Sequence, residues 1–253
     1  MSPIAIEIRN LSKHYKNVIA LSGLSIDISQ GEIFGLIGPN GAGKSTTLKI
    51  LTTLLTATSG SARIFGTDVT QDPEEVRRMI SYLPEEAGSY KQLTGKEYLE
   101  FMAGLLELPD GESSEAVVKR GIDLASLGER IDDRTKEYSK GMRRKLLIAR
   151  ALMSKPKLAV LDEPASGLDV KHAYYVRGII KDYVKNKNIT VLLSSHNMLE
   201  VEYLCDRVGL LDEGKLLDIG SPAQLISKYS AENLEEVFIR ATGADPAAMG
   251  GGS

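Results

Sequence analysis

The stretch Gly38, Pro39, Asn40, Gly41, Ala42, Gly43, Lys44, Ser45, Thr46 follows the apolar run Ile33-Phe34-Gly35-Leu36-Ile37 and opens a helical pattern. A strand, a glycine loop and a helix in that order make a phosphate cradle. A helix start leaves its first N–H groups without intrahelical acceptors and carries a partial positive charge that favours an anion. The glycines let the loop wrap closely, Lys44 can reach β- and γ-phosphates, and the hydroxyl of Ser45 can take a place on Mg²⁺. A glycine-rich turn with a stray lysine is the competing reading, which the flanking strand and helix disfavour.

A second stretch, Leu158-Ala159-Val160-Leu161-Asp162-Glu163-Pro164, reads as a buried strand ending in two carboxylates. Consecutive residues leaving a strand point in different directions. Asp162 can therefore face Mg²⁺ while Glu163 addresses the water that attacks the γ-phosphate. The alternative is an acidic pair stabilised by the dipole of a following helix. A third stretch, Tyr138-Ser139-Lys140-Gly141-Met142-Arg143-Arg144-Lys145, sits at another helix start, with Ser139 as the cap and Met142, Leu146, Ala149 and Met153 at helical spacing. Cations in a first turn are disfavoured by a few tenths to ~1 kcal/mol each unless an anion is nearby, so Arg143, Arg144 and Lys145 hint at an anion.

These residues need elements to hold them. Ile4, Ile6 and Ile8 alternate with Ala5, Glu7 and Arg9, and Leu24-Ser25-Ile26-Asp27-Ile28 alternates again, which predicts half-buried strands through the first thirty residues. The helix from Lys44 is expected to reach Leu54 or Leu55, with Ser59-Gly60-Ser61 breaking it before a strand Ala62–Phe65. A short helix Glu74–Met79 leads into Ile80-Ser81-Tyr82-Leu83. From Thr94 to about Pro156 the pattern is helical, opening on the capping box Thr94-Gly95-Lys96-Glu97. Strand signals return at Leu158–Leu161, Ile189–Leu193 and Val208–Leu211 between helical segments. The expected fold is α/β: a P-loop NTPase core with a mainly parallel sheet, an N-terminal antiparallel β layer and an all-helical subdomain inserted at about 94–156. One domain spans 1–240, and the glycine-rich 241–253 reads as a disordered tail or an appended linker.

Composition narrows the partners. A formal charge of −3 argues against a surface built to neutralise a nucleic-acid backbone. Cys205 is the only cysteine, so no intramolecular disulfide framework or cysteine-based metal site can form. The N-terminus lacks a basic region followed by an apolar one, and no apolar stretch approaches the ~18 residues needed to span a bilayer. No direct membrane span and a cytoplasmic location are expected.

Taken in order, the three stretches resemble the ATP-binding subunit of ABC transporters along nearly all of Ile4 to Gly243. Ser139-Lys140-Gly141-Met142 is similar to the family's Leu-Ser-Gly-Gly-Gln signature, keeping the serine and the second glycine. The resemblance implies that Ser139 and Gly141 bind the γ-phosphate held by a second ATPase subunit, so that two ATP molecules are sandwiched in a head-to-tail homo- or heterodimer. Ser166-Gly167-Leu168-Asp169 resembles the loop at the dimer seam, and Ser194-Ser195-His196 resembles the switch histidine after a strand. A residue preceding a capped helix is the ordinary alternative for His196. Tyr15 resembles the aromatic residue that stacks on adenine; a strand aromatic in a core is its alternative.

Departures from the pattern are informative. Tyr82-Leu83-Pro84 is followed by Glu85 where the family often has a glutamine that approaches Mg²⁺; a carboxylate adds negative charge there and donates no hydrogen bond when ionised. Lys140 replaces the first signature glycine and Met142 the glutamine. The order Tyr82-Leu83-Pro84-Glu85, the short helical insertion and the segment Asn233–Ile239 resemble the ABC-2 exporter branch. That resemblance implies a separate integral membrane permease as partner and a peripheral position on the inner face of the cell membrane. A soluble ABC ATPase of repair, translation or cluster assembly and a poorly hydrolysing regulator are the alternatives. The short insertion and single cassette weigh against the first, and Glu163 with His196 against the second.

Overall fold

The computed structural model describes residues 3–108, 111–187 and 189–243. In chain order the elements are strands β1 (Ile4–Tyr15), β2 (Val18–Ser29) and β3 (Ile33–Ile37), helix α1 (Lys44–Leu51), β4 (Ser59–Ile64), β5 (Thr67–Asp68), α2 (Pro73–Met79) and β6 (Ile80–Leu83). The helical stretch holds α3 (Gly95–Ala103), α4 (Ser114–Ala125), two short 3₁₀ turns and α5 (Lys140–Leu152). Then come β7 (Leu158–Asp162), α6 (Val170–Lys187), β8 (Thr190–Ser195), α7 (Met198–Leu204), β9 (Arg207–Asp212), β10 (Lys215–Gly220), α8 (Pro222–Lys228) and α9 (Leu234–Ala241).

The chain divides into two compact units: Met1–Arg77 with Thr190–Ser253, and Arg78–Ile189. In the first, β1 pairs antiparallel with β2 and with β4, and β4 with β5, which is the expected N-terminal β layer. A second set of strands is parallel, β3 lying between β8 and β9, with β10 antiparallel to β9. All five residues of β3 are buried, the signature of a parallel strand covered on both faces. The second unit holds the parallel pair β6 and β7, with β7 wholly buried, and the helices α3 to α6.

Several boundaries fall elsewhere than the pattern predicts. Helix α1 ends at Leu51, short of Leu54, because Thr52 turns its hydroxyl onto the Leu48 carbonyl (2.8 Å) and Thr53 takes a left-handed backbone, φ 61°. Ser59-Gly60-Ser61 does not break a helix but belongs to β4, with Ser61 opposite Arg9 and Ser59 opposite Ser12 across an irregularity in β1. Ala241 ends α9 rather than opening a tail, and the rest of that expected tail, 244–253, lies outside the described residues. The capping box at Thr94 is present as read: Thr94 Oγ1 accepts from Glu97 N–H (3.1 Å) and Glu97 Oε2 from Thr94 N–H (2.8 Å). Among the described residues no helix is long and apolar enough to cross a membrane.

Candidate functional site

The first unit carries the glycine loop, Tyr15 and His196. The loop springs from buried β3 and ends at α1, whose first turn contains no acidic residue of its own to offset the positive end of the helix. Gly43 sits at φ 103°, and a Cβ there would lie 2.6 Å from the Ala20 carbonyl oxygen and 2.7 Å from Leu21 Cδ2. No other residue type fits without moving backbone. Lys44 is buried, and its ammonium folds back to donate to the carbonyls of Gly38 (2.7 Å) and Pro39 (3.1 Å). The cation is thereby fixed inside the loop. Gly214 N–H donates to the Ala42 carbonyl (3.0 Å), tying the loop to the β9–β10 turn.

Strand pairing brings His196 to the same edge. Ile37, the last residue of β3, is registered with Ser195, the last of β8, so Gly38 and His196 leave neighbouring parallel strands at their carboxyl ends. Ligands in open α/β sheets bind at that edge. His196 is exposed between β8 and α7, where Ser195 Oγ accepts from Asn197 N–H (3.0 Å). Tyr15 ends β1 opposite Val18, two residues from the Ala20 carbonyl that borders Gly43. The residue is 43 % exposed, with Lys13 Nζ 5.1 Å from the ring centroid, so it is no core aromatic.

The second unit carries Glu85, Ser139, Gly141, Asp162, Glu163 and Asp169. Asp162 ends the buried strand β7 and Glu163 follows it, and they are 3 % and 5 % exposed. Glu163 has a left-handed backbone, φ 49°, a conformation that costs a non-glycine residue about 1–3 kcal/mol and persists only where its surroundings impose it. Arg144 imposes it here. This buried guanidinium donates to the carbonyls of Pro164 (2.7 Å), Asp162 (3.0 Å), Glu163 and Glu85 (3.2 Å). Burial pushes its pKa down, opposed by Glu85, Asp162 and Glu163. The Tyr82 phenol is pushed up to about 12 by burial and then by the Asp162 carboxylate beside it.

The cations at the start of α5 thus find partners within the unit, and Arg144 has the carboxylates of Glu85, Asp162 and Glu163 near it. Arg144 answers to carbonyls, Lys145 Nζ stands 3.7 Å from the centroid of the Tyr175 ring, and Arg143 donates to the Tyr138 carbonyl (3.3 Å). The first-turn cations that break the dipole rule were the signal for Arg144; its target was invisible because Asp162 to Pro164 lie about twenty residues downstream. Ser139 is the cap as read, accepting from Met142 N–H (3.1 Å). An open cleft of about 280 Å³ lies in this unit, lined by Glu85, Lys140, Arg143, Arg144, Glu163 and Ser166 among others. Glu85 is exposed, and its carbonyl, not its carboxylate, is what Arg144 grips.

Among the described residues no three His, Cys, Asp or Glu side chains gather to form a metal cage. Asp162 offers a buried carboxylate in the second unit and Ser45 a hydroxyl in the first, oxygen donors of the kind that Mg²⁺ takes, since it keeps waters and uses substrate phosphates as further ligands.

Comparison with known proteins agrees with this chemistry. A family model described as ABC transporter matches residues 21–166. The chain is 39 % identical over 230 residues to the daunorubicin/doxorubicin resistance ATP-binding protein DrrA of Streptomyces peucetius, covering 91 % of this chain and 69 % of that one. It is 32 % identical over 234 residues to the linearmycin resistance ATP-binding protein LnrL of Bacillus subtilis, covering 92 % and 75 %. The ATP-binding cassette MJ0796, solved as a dimer bound to ADP and Pi, superimposes with a TM-score of 0.76 at 25 % identity, covering 85 % of this chain and 98 % of that one. With its phosphate loop, its paired carboxylates and these relatives, the chain belongs to the ABC transporter family, as an ATP-binding and ATP-hydrolysing subunit.

Proposed function

We propose that this subunit drives an exporter: two ATPase subunits close head to tail around two ATP molecules and move a separate membrane permease. Residues 1–240 act as one ATPase domain. The export direction rests on the relatives whose names carry drug resistance, since resistance follows when a compound is removed. The dimer is supported by the neighbour solved as a dimer with ADP and Pi, and its head-to-tail arrangement by the resemblance of Ser139-Lys140-Gly141-Met142 to the family signature.

Roles follow from chemistry and placement. Tyr15 offers an exposed aromatic face to adenine, and Gly38 to Thr46 cradle the phosphates with Lys44 at the loop's centre. Ser45 and Asp162 hold Mg²⁺, which neutralises phosphate charge; Glu85 is the further ligand by position. Glu163 takes the proton of the attacking water, and His196, at the carboxyl edge of β8, addresses the γ-phosphate. Ser139, Gly141 and Asp169 face the nucleotide held by the partner subunit. ATP binds the closed dimer better than the open one, so binding shifts that population and hydrolysis resets it.

The observation that carries the reading is Glu163 itself, a buried carboxylate held in a strained backbone at the end of β7 by a dedicated arginine. Strain of that kind concentrates where function fixes geometry. Glu163→Gln keeps the shape and removes the base, so turnover should fall by about 10²–10⁴ while ATP affinity stays. Hydrolysis within a few fold of the unmutated chain would remove Glu163 from that role. Copurification with a membrane protein tests the transport reading; copurification with ribosomes or DNA instead would favour the soluble alternative.

A further inference from the structure

His172 joins two segments that the sequence kept apart. Its ring lies against the signature helix at Gly141, where an added Cβ would sit 2.6 Å from Nε2 and closer still to Cγ and Cδ2. Its other edge faces the seam loop: Nδ1 is 2.7 Å from Asp169 Oδ2, and its backbone N–H donates to Asp169 Oδ1 (2.9 Å). The carboxylate assigns the tautomer, since an ionised Asp169 only accepts and Nδ1 must carry the proton. The hydrogen bonds from His172 hold the Asp169 carboxyl below its usual range. Beside this contact Lys140, the residue in place of the first signature glycine, lays its side chain across Gly167, where a Cβ would meet Cε at 3.2 Å and Nζ closer.

We infer that His172 is a positioning residue that locks the seam loop to the signature turn, so that Ser139, Gly141 and Asp169 meet the partner's nucleotide as one preassembled face. The inference rests on the composite dimer site proposed above. Ser139 and Gly141 stand at the start of α5 and Asp169 just before α6, on separate elements. Free to move independently, they would each lose motion when the dimer closes; held together beforehand, they lose less, and closure needs less ATP. Gly141 acquires a second reason to be glycine. It leaves room for the His172 ring as well as for an approaching phosphate.

The two reasons separate in a mutant cycle on the full chain, with ATP-dependent dimerisation measured by sedimentation in a Glu163→Gln background. Hydrolysis is followed with Glu163 intact. His172→Ala should raise the ATP concentration for half-maximal dimerisation about tenfold or more, with kcat at saturating ATP within about twofold. His172→Asn places an amide N–H where Nδ1 stood and should recover most of that loss; His172→Phe covers Gly141 but cannot donate and should not. Gly141→Ala should impair dimerisation severely, and adding His172→Ala should restore it at least about tenfold, because the clashing ring is gone. Unchanged dimerisation in His172→Ala, or a lowered melting temperature with no change in dimerisation, would overturn the positioning role. So would a double variant as impaired as Gly141→Ala alone. An unmutated chain that forms no ATP-dependent dimer would instead overturn the composite-site reading on which the inference stands.

Discussion

Replacing Arg144 with alanine removes four hydrogen bonds to carbonyls that belong to the Glu163 turn and to Glu85. Hydrogen bonds from a charged donor contribute about 1.5–3 kcal/mol each. Three effects oppose that loss. Burial of the guanidinium is itself costly, as its lowered pKa shows; water can enter the adjoining cleft and bond the freed carbonyls; and Glu163 sheds about 1–3 kcal/mol of backbone strain. A net destabilisation of about 3–5 kcal/mol is expected, the range found when a buried charged network loses one member. An ordinary domain survives that, so the variant should fold. Activity should suffer more than stability, because the relaxed Glu163 no longer points where φ 49° aimed it. A misplacement near 1 Å is enough to lower kcat by ~10²-fold. Lysine at this position keeps one charge but not the planar fork, and Arg144→Lys should fall between. Steady-state hydrolysis at saturating ATP, nucleotide binding and urea unfolding supply the three readouts. A kcat within about threefold of the unmutated chain, in a variant destabilised as expected, would refute the claim that Arg144 aims Glu163.

Gly43→Ala places a methyl group against the Ala20 carbonyl at a left-handed φ, so nucleotide titration should show affinity reduced by at least about tenfold and melting should show a loss of ~2–4 kcal/mol. Thr94→Ala breaks the capping box of α3 and should lower stability by ~1 kcal/mol, seen as a melting temperature down by about 2–4 °C with ATP binding unchanged. Burial raises the phenols of Tyr82, Tyr138 and Tyr183 from 10.0 to about 12. Their folded pKa lies above the unfolded value, so their contribution is fully present below pH ~10 and is lost as pH climbs towards ~12. The share of tyrosinate absorbance that belongs to these three phenols should therefore appear only with loss of secondary structure; ionisation of all ten tyrosines near pH 10 in a folded chain would contradict it.

Elements with a strong period or a local cap were legible directly. The β1–β2 strands, the apolar runs of β3 and β7, the Thr94 box and the Ser139 cap all depend on residues within a few positions of each other, and each formed where its pattern placed it, except that a register shift between Ile4 and Ile6 leaves Ile4 exposed and Ala5 buried. Boundaries set by competing side chains were not, as Thr52 shows by ending α1 a turn early with its own hydroxyl. The same division runs through the candidate site.

By itself the sequence determined the glycine loop, the carboxylate pair and the Ser139 cap, because each is a contiguous motif whose chemistry is carried by local backbone geometry. Tertiary structure decided what those motifs touch. It made Arg144 the clamp of the Glu163 turn, set Glu163 in a left-handed backbone, and closed His172 over Gly141. Those contacts join residues some twenty to sixty positions apart. A local pattern cannot encode them, since they exist only once helices α5 and α6 have packed and fixed which side chains share a surface.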